Sequence, residues 1–205
     1  FRAHHPNVRF KTLSRSSAEI LALLENLEID AGITYLDNEP LGRVTTVPLY
    51  RERYVYVCRA DAPAAARSAL PWAEAAALPL GLLTPDMQNR RIINQVFAAK
   101  GLSVRPAIEA SSVLVLISHV TEAGLGTILP EQTAAFFQAG GALATVPLTE
   151  PETRHAVGLV ALHRAPHTPV TKLRIMSRPW TVSSTSGWNW KPNCFVSWLA
   201  MAANR

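Results

Sequence analysis

Ile108-Glu-Ala-Ser-Ser-Val-Leu-Val-Leu-Ile-Ser-His-Val-Thr-Glu-Ala-Gly-Leu-Gly-Thr-Ile-Leu-Pro-Glu131 reads as strand, helix, strand and helix start, and this run decides the fold class. A hydroxyl at Ser111 or Ser112 can cap a helix by accepting a bond from an unpaired first-turn N–H. Val113, Leu116, Ile117 and Val120 recur at helical spacing and give one buried stripe. Gly124 suits the left-handed residue that ends a helix, and Gly126 lets the backbone turn closely into a strand at Thr127–Leu129. Pro130 then opens the next helix at its first position. About three residues between helix and strand is the spacing of a tightly wound α/β unit. Helix starts also present free N–H groups and a positive dipole end to anions. A second such start elsewhere in the chain therefore predicts a cleft.

Upstream, Val8–Thr12 is a strand, and Ser16 with Glu19 matches the spacing of a capping box. Ile20, Leu23, Leu24 and Leu27 form the buried face of the following helix. Ile29 to Thr34 is a short apolar run of the buried parallel-strand kind, which completes a strand–helix–strand unit with a right-handed crossover. After a turn at Asn38–Gly42, Val44–Leu49 and Arg53–Cys58 are strands. The Ala- and Pro-rich Asp61–Pro71 is a loop near a lobe boundary, followed by a short helix at Trp72–Ala77. A second winding begins with strand Leu80–Leu83, polar loop Thr84–Asn89, helix Arg90–Lys100 stopped by Gly101, and strand Ala107–Ala110. Helix Glu131–Gln138 and strands Ala142–Pro147 and Ala156–Leu162 close the pattern.

These elements predict an α/β protein of two Rossmann-like subdomains with a ligand cleft between them. Residues 1–59 form the first subdomain, 60–155 the second, and 156–171 return to the first. Residues 172–205 are an atypical tail, without helical stripe or strand alternation, and hold Trp180, Trp188, Trp190 and Trp198. A structured cap and a poorly ordered or aberrant segment are both open there, and the second is favoured.

The formal charge of +5 lies wholly in that tail, where Lys172, Arg174, Arg178, Lys191 and Arg205 meet no acid. Residues 1–171 are balanced, so the body lacks the clustered cations that phosphate backbones require. No stretch approaches the roughly 18 apolar residues of a membrane span. Cys58 and Cys194 are far apart, which argues against a disulfide framework and fits a reducing cytoplasm. The chain starts at Phe1, and Phe1-Arg-Ala-His-His-Pro reads like the end of a helix, so further sequence is expected upstream.

In doubly wound sheets ligands sit outside the carboxyl ends of the strands. Ser16, Ser17, Thr84, Gln88 and Asn89 are therefore candidate contacts for a small polar or anionic ligand, together with the helix starts Ser111 and Ser112. Thr34 and Thr127, at strand ends, would line the same cleft. Each is also readable as an ordinary cap or loop group. Arg15, Arg90 and Arg91 lie near helix starts, either as forks for a carboxylate or as solvated side chains. The six histidines show no metal spacing, His119 being an exposed or rim residue. Gly124-Leu125-Gly126 lacks the third glycine of a dinucleotide fingerprint. With no nucleophile beside an identifiable base, no metal and no cofactor are expected, and no enzyme.

In order and spacing, Phe1-Arg-Ala-His-His-Pro-Asn-Val, Ser17-Ala-Glu-Ile-Leu-Ala-Leu-Leu-Glu-Asn-Leu-Glu-Ile-Asp-Ala-Gly-Ile, Pro48-Leu-Tyr-Arg-Glu and Val120-Thr-Glu-Ala-Gly-Leu-Gly-Thr-Ile-Leu-Pro-Glu carry a likeness. Over residues 1–171 the chain resembles the effector-binding domain of LysR-type transcriptional regulators. The resemblance implies a periplasmic-binding-protein-like fold, its two subdomains joined by crossing strands, and a cytoplasmic bacterial regulator. A small-molecule effector, often a metabolite anion or carboxylate, would bind between the lobes and retune promoter DNA binding by an N-terminal winged helix-turn-helix upstream of Phe1. It implies effector contacts at Ser17 and in the loop Thr84–Asn89, and a homodimer or homotetramer. The first strand and helix of the first lobe are expected upstream as well. A solute-binding protein of a transport system shares this fold and is the rival reading.

Overall fold

The computed structural model describes residues 9–37, 40–163 and 199–203. The chain divides into two compact units, Phe1–Arg51 with Ala156–Arg205, and Glu52–His155. The division falls at Arg51 rather than after residue 59. Pairing is the cause: β4 (Tyr54–Arg59) is bonded between β8 (Thr127–Pro130) and β9 (Leu143–Thr149) of the second unit.

In the first unit β1 (Phe10–Ser14) leads through α1 (Ser17–Glu25) to β2 (Ala31–Tyr35), followed by β3 (Val44–Glu52) and, much later, β10 (His155–Leu162) and β11 (Leu199–Ala203). The sheet order is β1-β11-β2-β10-β3. Every residue of β2 is buried, as its apolar run predicts, but its neighbours β10 and β11 both run antiparallel. An apolar run reports cover on both faces and does not fix the direction of the neighbours. β11 lies in the tail that the sequence leaves without a strand. Leu-Ala-Met-Ala-Ala has no β-branched residue and no polar alternation, so it carried no signal. The expectation for 172–198 lies outside the described residues.

The capping box at α1 forms as its spacing requires. Glu19 N–H donates to Ser16 Oγ at 3.3 Å, and Ser16 N–H donates to the Glu19 carboxylate at 2.8 Å. The helix is shorter than its apolar stripe suggests. It ends at Glu25, and Leu27, with φ of 61°, is 56% exposed instead of buried. Ile20 and Leu24 pack with Ile29 and Val160 as the core of this unit.

In the second unit β5 (Leu70–Pro71), α2 (Trp72–Ala76), β6 (Gly81–Leu83), α3 (Gln88–Ala99), β7 (Ile108–Ala110), α4 (Val113–Ala123), β8, α5 (Glu131–Gln138) and β9 follow β4 in order. β5-β9-β4-β8 is one sheet and β6-β7 a parallel pair, linked by a parallel bridge between Leu80 and Gly126. Ile108 to Glu131 folds as strand, helix, strand and helix start. Ile117 and Val120 are buried with Val55, Val57 and Leu129, Val113 packs on the same cluster, and Leu116 is buried as well, on the side of Gly81. Gly124 ends α4 in the left-handed region, at φ +67°. Gly126 lies under the Tyr56 ring, where a Cβ would overlap the phenol. Pro130 precedes α5 as its N-cap and not as its first residue. Beyond this cluster, Trp72 packs edge-on against Phe97 at 5.4 Å and donates from Nε1 to the Pro151 carbonyl.

Candidate functional site

Within the second unit, parallel pairing brings two strand ends together. Leu83 pairs with Ala110, and Thr84 N–H donates to the Ala110 carbonyl at 3.1 Å. Thr84 and Ser111 thus leave the sheet side by side, and α3 and α4 start just beyond them. α3 begins at Gln88, so Gln88 and Asn89 belong to its first turn and not to a loop. Neither helix is capped by a side chain: Met87 has none to offer, and Ser112, although at the N-cap position, makes no cap bond. Ser111 is exposed and Ser112 half-buried, so the expected hydroxyl cap is not formed. First-turn N–H groups of both helices therefore lack intrahelical acceptors, at the positive ends of two dipoles.

Polar groups with unmet bonding capacity gather in this unit. Thr84 Oγ1 and both amide atoms of Asn89 are buried with no hydrogen-bond partner among the described residues. Asn89 is 1% exposed, so bulk water does not compensate it. Leaving such a group unpaired costs about 1–3 kcal/mol, which a bound polar ligand would relieve. Gln88, equally buried, accepts at Oε1 from Arg91 Nε at 3.1 Å and Nη2 at 2.6 Å.

Thr127 is not part of this edge. It begins β8, and the Leu80–Gly126 bridge sets it level with Gly81, three residues before Thr84. At about 3.3 Å per residue that is roughly 10 Å along the strand. It is fully buried, and its Oγ1 has no partner among the described residues.

In the first unit Ser17 Oγ and Thr34 Oγ1 are 2.8 Å apart, each residue 2% exposed. α1 supplies the serine from its first turn, and β2 the threonine near its carboxyl end. Ser16, by contrast, is committed to the capping box.

None of the three arginines near helix starts is an open fork. Arg90 is 6% exposed and donates to the Leu83 carbonyl, Glu109 and Asn94. Arg91 holds Gln88 and the Asp86 carbonyl, and Arg15 is exposed on the Ser14 carbonyl. The sequence reading missed the Arg91–Gln88 contact. Its signal was an i, i+3 spacing, visible only once the helix starts at Gln88. The shifted titrations of this unit lie elsewhere. Burial, helped by Cys58, pushes Tyr56 up to about 12, and burial raises the Cys58 thiol. Among the described residues no group of three or more His, Cys, Asp or Glu could hold a metal ion, and no helix is long and apolar enough to cross a membrane.

This architecture has relatives. Residues 1–175 match the LysR substrate binding domain, and the chain belongs to that family. It is 24% identical over 190 residues to the HTH-type transcriptional regulator YbhD of Escherichia coli (strain K12), covering 92% of this chain and 59% of that protein. The chain thus spans well under two thirds of that relative's length. Among solved structures, HinK, a LysR family transcriptional regulator from Pseudomonas aeruginosa, matches with a TM-score of 0.68 and 18% identity, covering 84% of this chain and 60% of that one. The effector binding domain of QuiR in complex with shikimate matches with a TM-score of 0.65 and 19% identity, over 77% of this chain and 74% of that one. The fold is therefore that of LysR effector-binding domains, the periplasmic-binding-protein-like fold expected. The transport reading is not favoured, since the curated relative is a transcriptional regulator.

Proposed function

We propose that this chain is the sensory part of a LysR-type regulator, which binds a small effector carrying a carboxylate or other anionic group. The candidate contacts are Thr84, Gln88, Asn89, Ser111 and Ser112 within the second unit and, taken by itself, the Ser17–Thr34 pair within the first. The observation that carries this reading is the pair of adjacent, uncapped helix starts beside the unpaired Thr84 and Asn89 groups. Binding without reaction suffices: an effector shifts a two-state equilibrium by its differential affinity for the two arrangements. The whole protein, a cytoplasmic homodimer or homotetramer, would couple that shift to promoter DNA through a separate helix-turn-helix domain. It would act through neither a membrane nor a chemical step.

Thermal denaturation of the chain against a library of small acids, shikimate included, together with uncharged and cationic compounds of similar size, tests the reading. An effector at about 100 times its Kd stabilises by roughly 2.7 kcal/mol, which for this size is a rise in Tm of about 5–10 °C. A library in which no acid raises Tm, while uncharged or cationic compounds do, contradicts it.

A further inference from the structure

We propose that Arg91 is a positioning residue that fixes Gln88 as a hydrogen-bond donor toward the effector, and so admits only ligands with an acceptor at that point, a carboxylate or similar oxyanion. The inference rests on the reading above that Gln88 touches the effector.

The geometry follows from what each group can do. A guanidinium has donors and no acceptor, so the atom that faces it at 3.1 and 2.6 Å must be the amide oxygen of Gln88. The usual ambiguity of an amide flip is thereby removed. The remaining terminal atom is Nε2, which makes no hydrogen bond among the described residues. Arg91 is itself anchored, because its Nη1 donates to the Asp86 carbonyl at 2.6 Å. The clamp therefore ties the first turn of α3 to the segment leading into it. A cation on the carbonyl oxygen also draws charge from the amide, which strengthens its N–H donors.

The surroundings agree in sign. The start of α3 has no side-chain cap, so its backbone offers donors too. The nearest buried cation is already matched: Arg90 is paired with Glu109 at 2.6 Å. Thr84 can donate or accept and follows its partner. An acceptor-bearing ligand meets the donors of this edge, Gln88 Nε2, Asn89 Nδ2 and the helix-start N–H groups, and leaves only Asn89 Oδ1 to a donor, whereas an ammonium would face those N–H groups and a helix's positive end.

The test uses matched pairs on one skeleton: benzoate and benzylamine, cyclohexanecarboxylate and cyclohexylmethylamine, succinate and putrescine. Affinities are measured by titration calorimetry for the wild-type chain, Gln88→Glu, Arg91→Ala and Arg91→Lys. In Gln88→Glu the carboxylate still pairs with Arg91, so the fold is kept while the outward donor becomes an acceptor. The wild type is expected to prefer at least one acid over its amine, and Gln88→Glu to lose about tenfold in acid affinity, the scale of one charge-assisted bond. Arg91→Ala is expected to shrink the acid-to-amine ratio, with Arg91→Lys restoring part of it. Acids that bind Gln88→Glu as tightly as wild type, or an unchanged ratio in Arg91→Ala, overturn this role of Arg91 and leave the effector reading standing. Amines preferred by the wild type overturn both, and so does a panel without any binder.

Discussion

Ser17 Oγ and Thr34 Oγ1 meet at 2.8 Å, each the other's buried hydrogen-bond partner. Removing one hydroxyl leaves the other stranded. Ser17→Ala and Thr34→Val are each expected to destabilise the chain by about 1–3 kcal/mol. The double variant, which removes both polar groups, should cost less than the sum. Urea unfolding of the four proteins checks this, and additive losses would mean that the two hydroxyls do not act as a pair.

Gly124 and Gly126 are two residues apart and needed for different reasons. Gly124 is left-handed, but open space surrounds the position of a Cβ there. Asn tolerates that backbone, so Gly124→Asn should be nearly neutral and Gly124→Val should cost about 1–2 kcal/mol. At Gly126 any Cβ strikes the Tyr56 ring, itself buried in β4. Gly126→Ala is expected to cost about 1–3 kcal/mol from overpacking. Thermal unfolding should show that smaller residues at position 56 recover part of that loss.

How far the sequence reveals this structure is visible at particular residues. The stretch from Ile108 to Glu131 was legible because a helical stripe, a left-handed glycine and a short strand each have a local cause. Ser16 with Glu19 was legible for the same reason. Sheet neighbours were not. β2 is buried as read, yet its partners arrive from β10 and β11, far along the chain, and nothing local records that. Of the candidate groups, Ser17 with Thr34, and Thr84 with Ser111, are brought together by the fold. Thr127 is separated by strand register, which periodicity does not encode. Arg90 could be read only as a ligand fork or as solvated, because its partner Glu109 lies on β7, nineteen positions away.

Arg90 gives a third expectation. Its guanidinium is buried, whereas Glu109 is 42% exposed, so the pair is only partly shielded from water. Glu109→Gln keeps an acceptor beside Arg90 and should cost about 1 kcal/mol or less. Arg90→Ala also abandons the Leu83 carbonyl and Asn94, and should cost about 2–4 kcal/mol. Denaturant unfolding compares the two, and equal losses would contradict the assigned contacts.

Alkaline titration gives a fourth. Tyr56 is raised by burial from its ordinary 10.0 to about 12, and the Cys58 thiol is raised from 9.0. A folded pKa above the unfolded one means that the folded state holds its proton more tightly. The associated stability is complete below the unfolded value and declines as pH rises toward the folded one. For Tyr56 the decline spans pH 10 to about 12, and for Cys58 it begins near pH 9. Tyr56→Phe should flatten the upper part of the stability curve. The Cys58 thiol should react slowly with a thiol reagent at pH 8 in the native chain and quickly in urea.

The most direct measurement of the central claim is calorimetric titration of an effector found by the acid screen into wild type, Thr84→Ala and Gln88→Ala. The account predicts that both variants stay folded and that each binds about tenfold more weakly, roughly 1.4 kcal/mol. Wild-type affinity in both folded variants would place the effector elsewhere and contradict it.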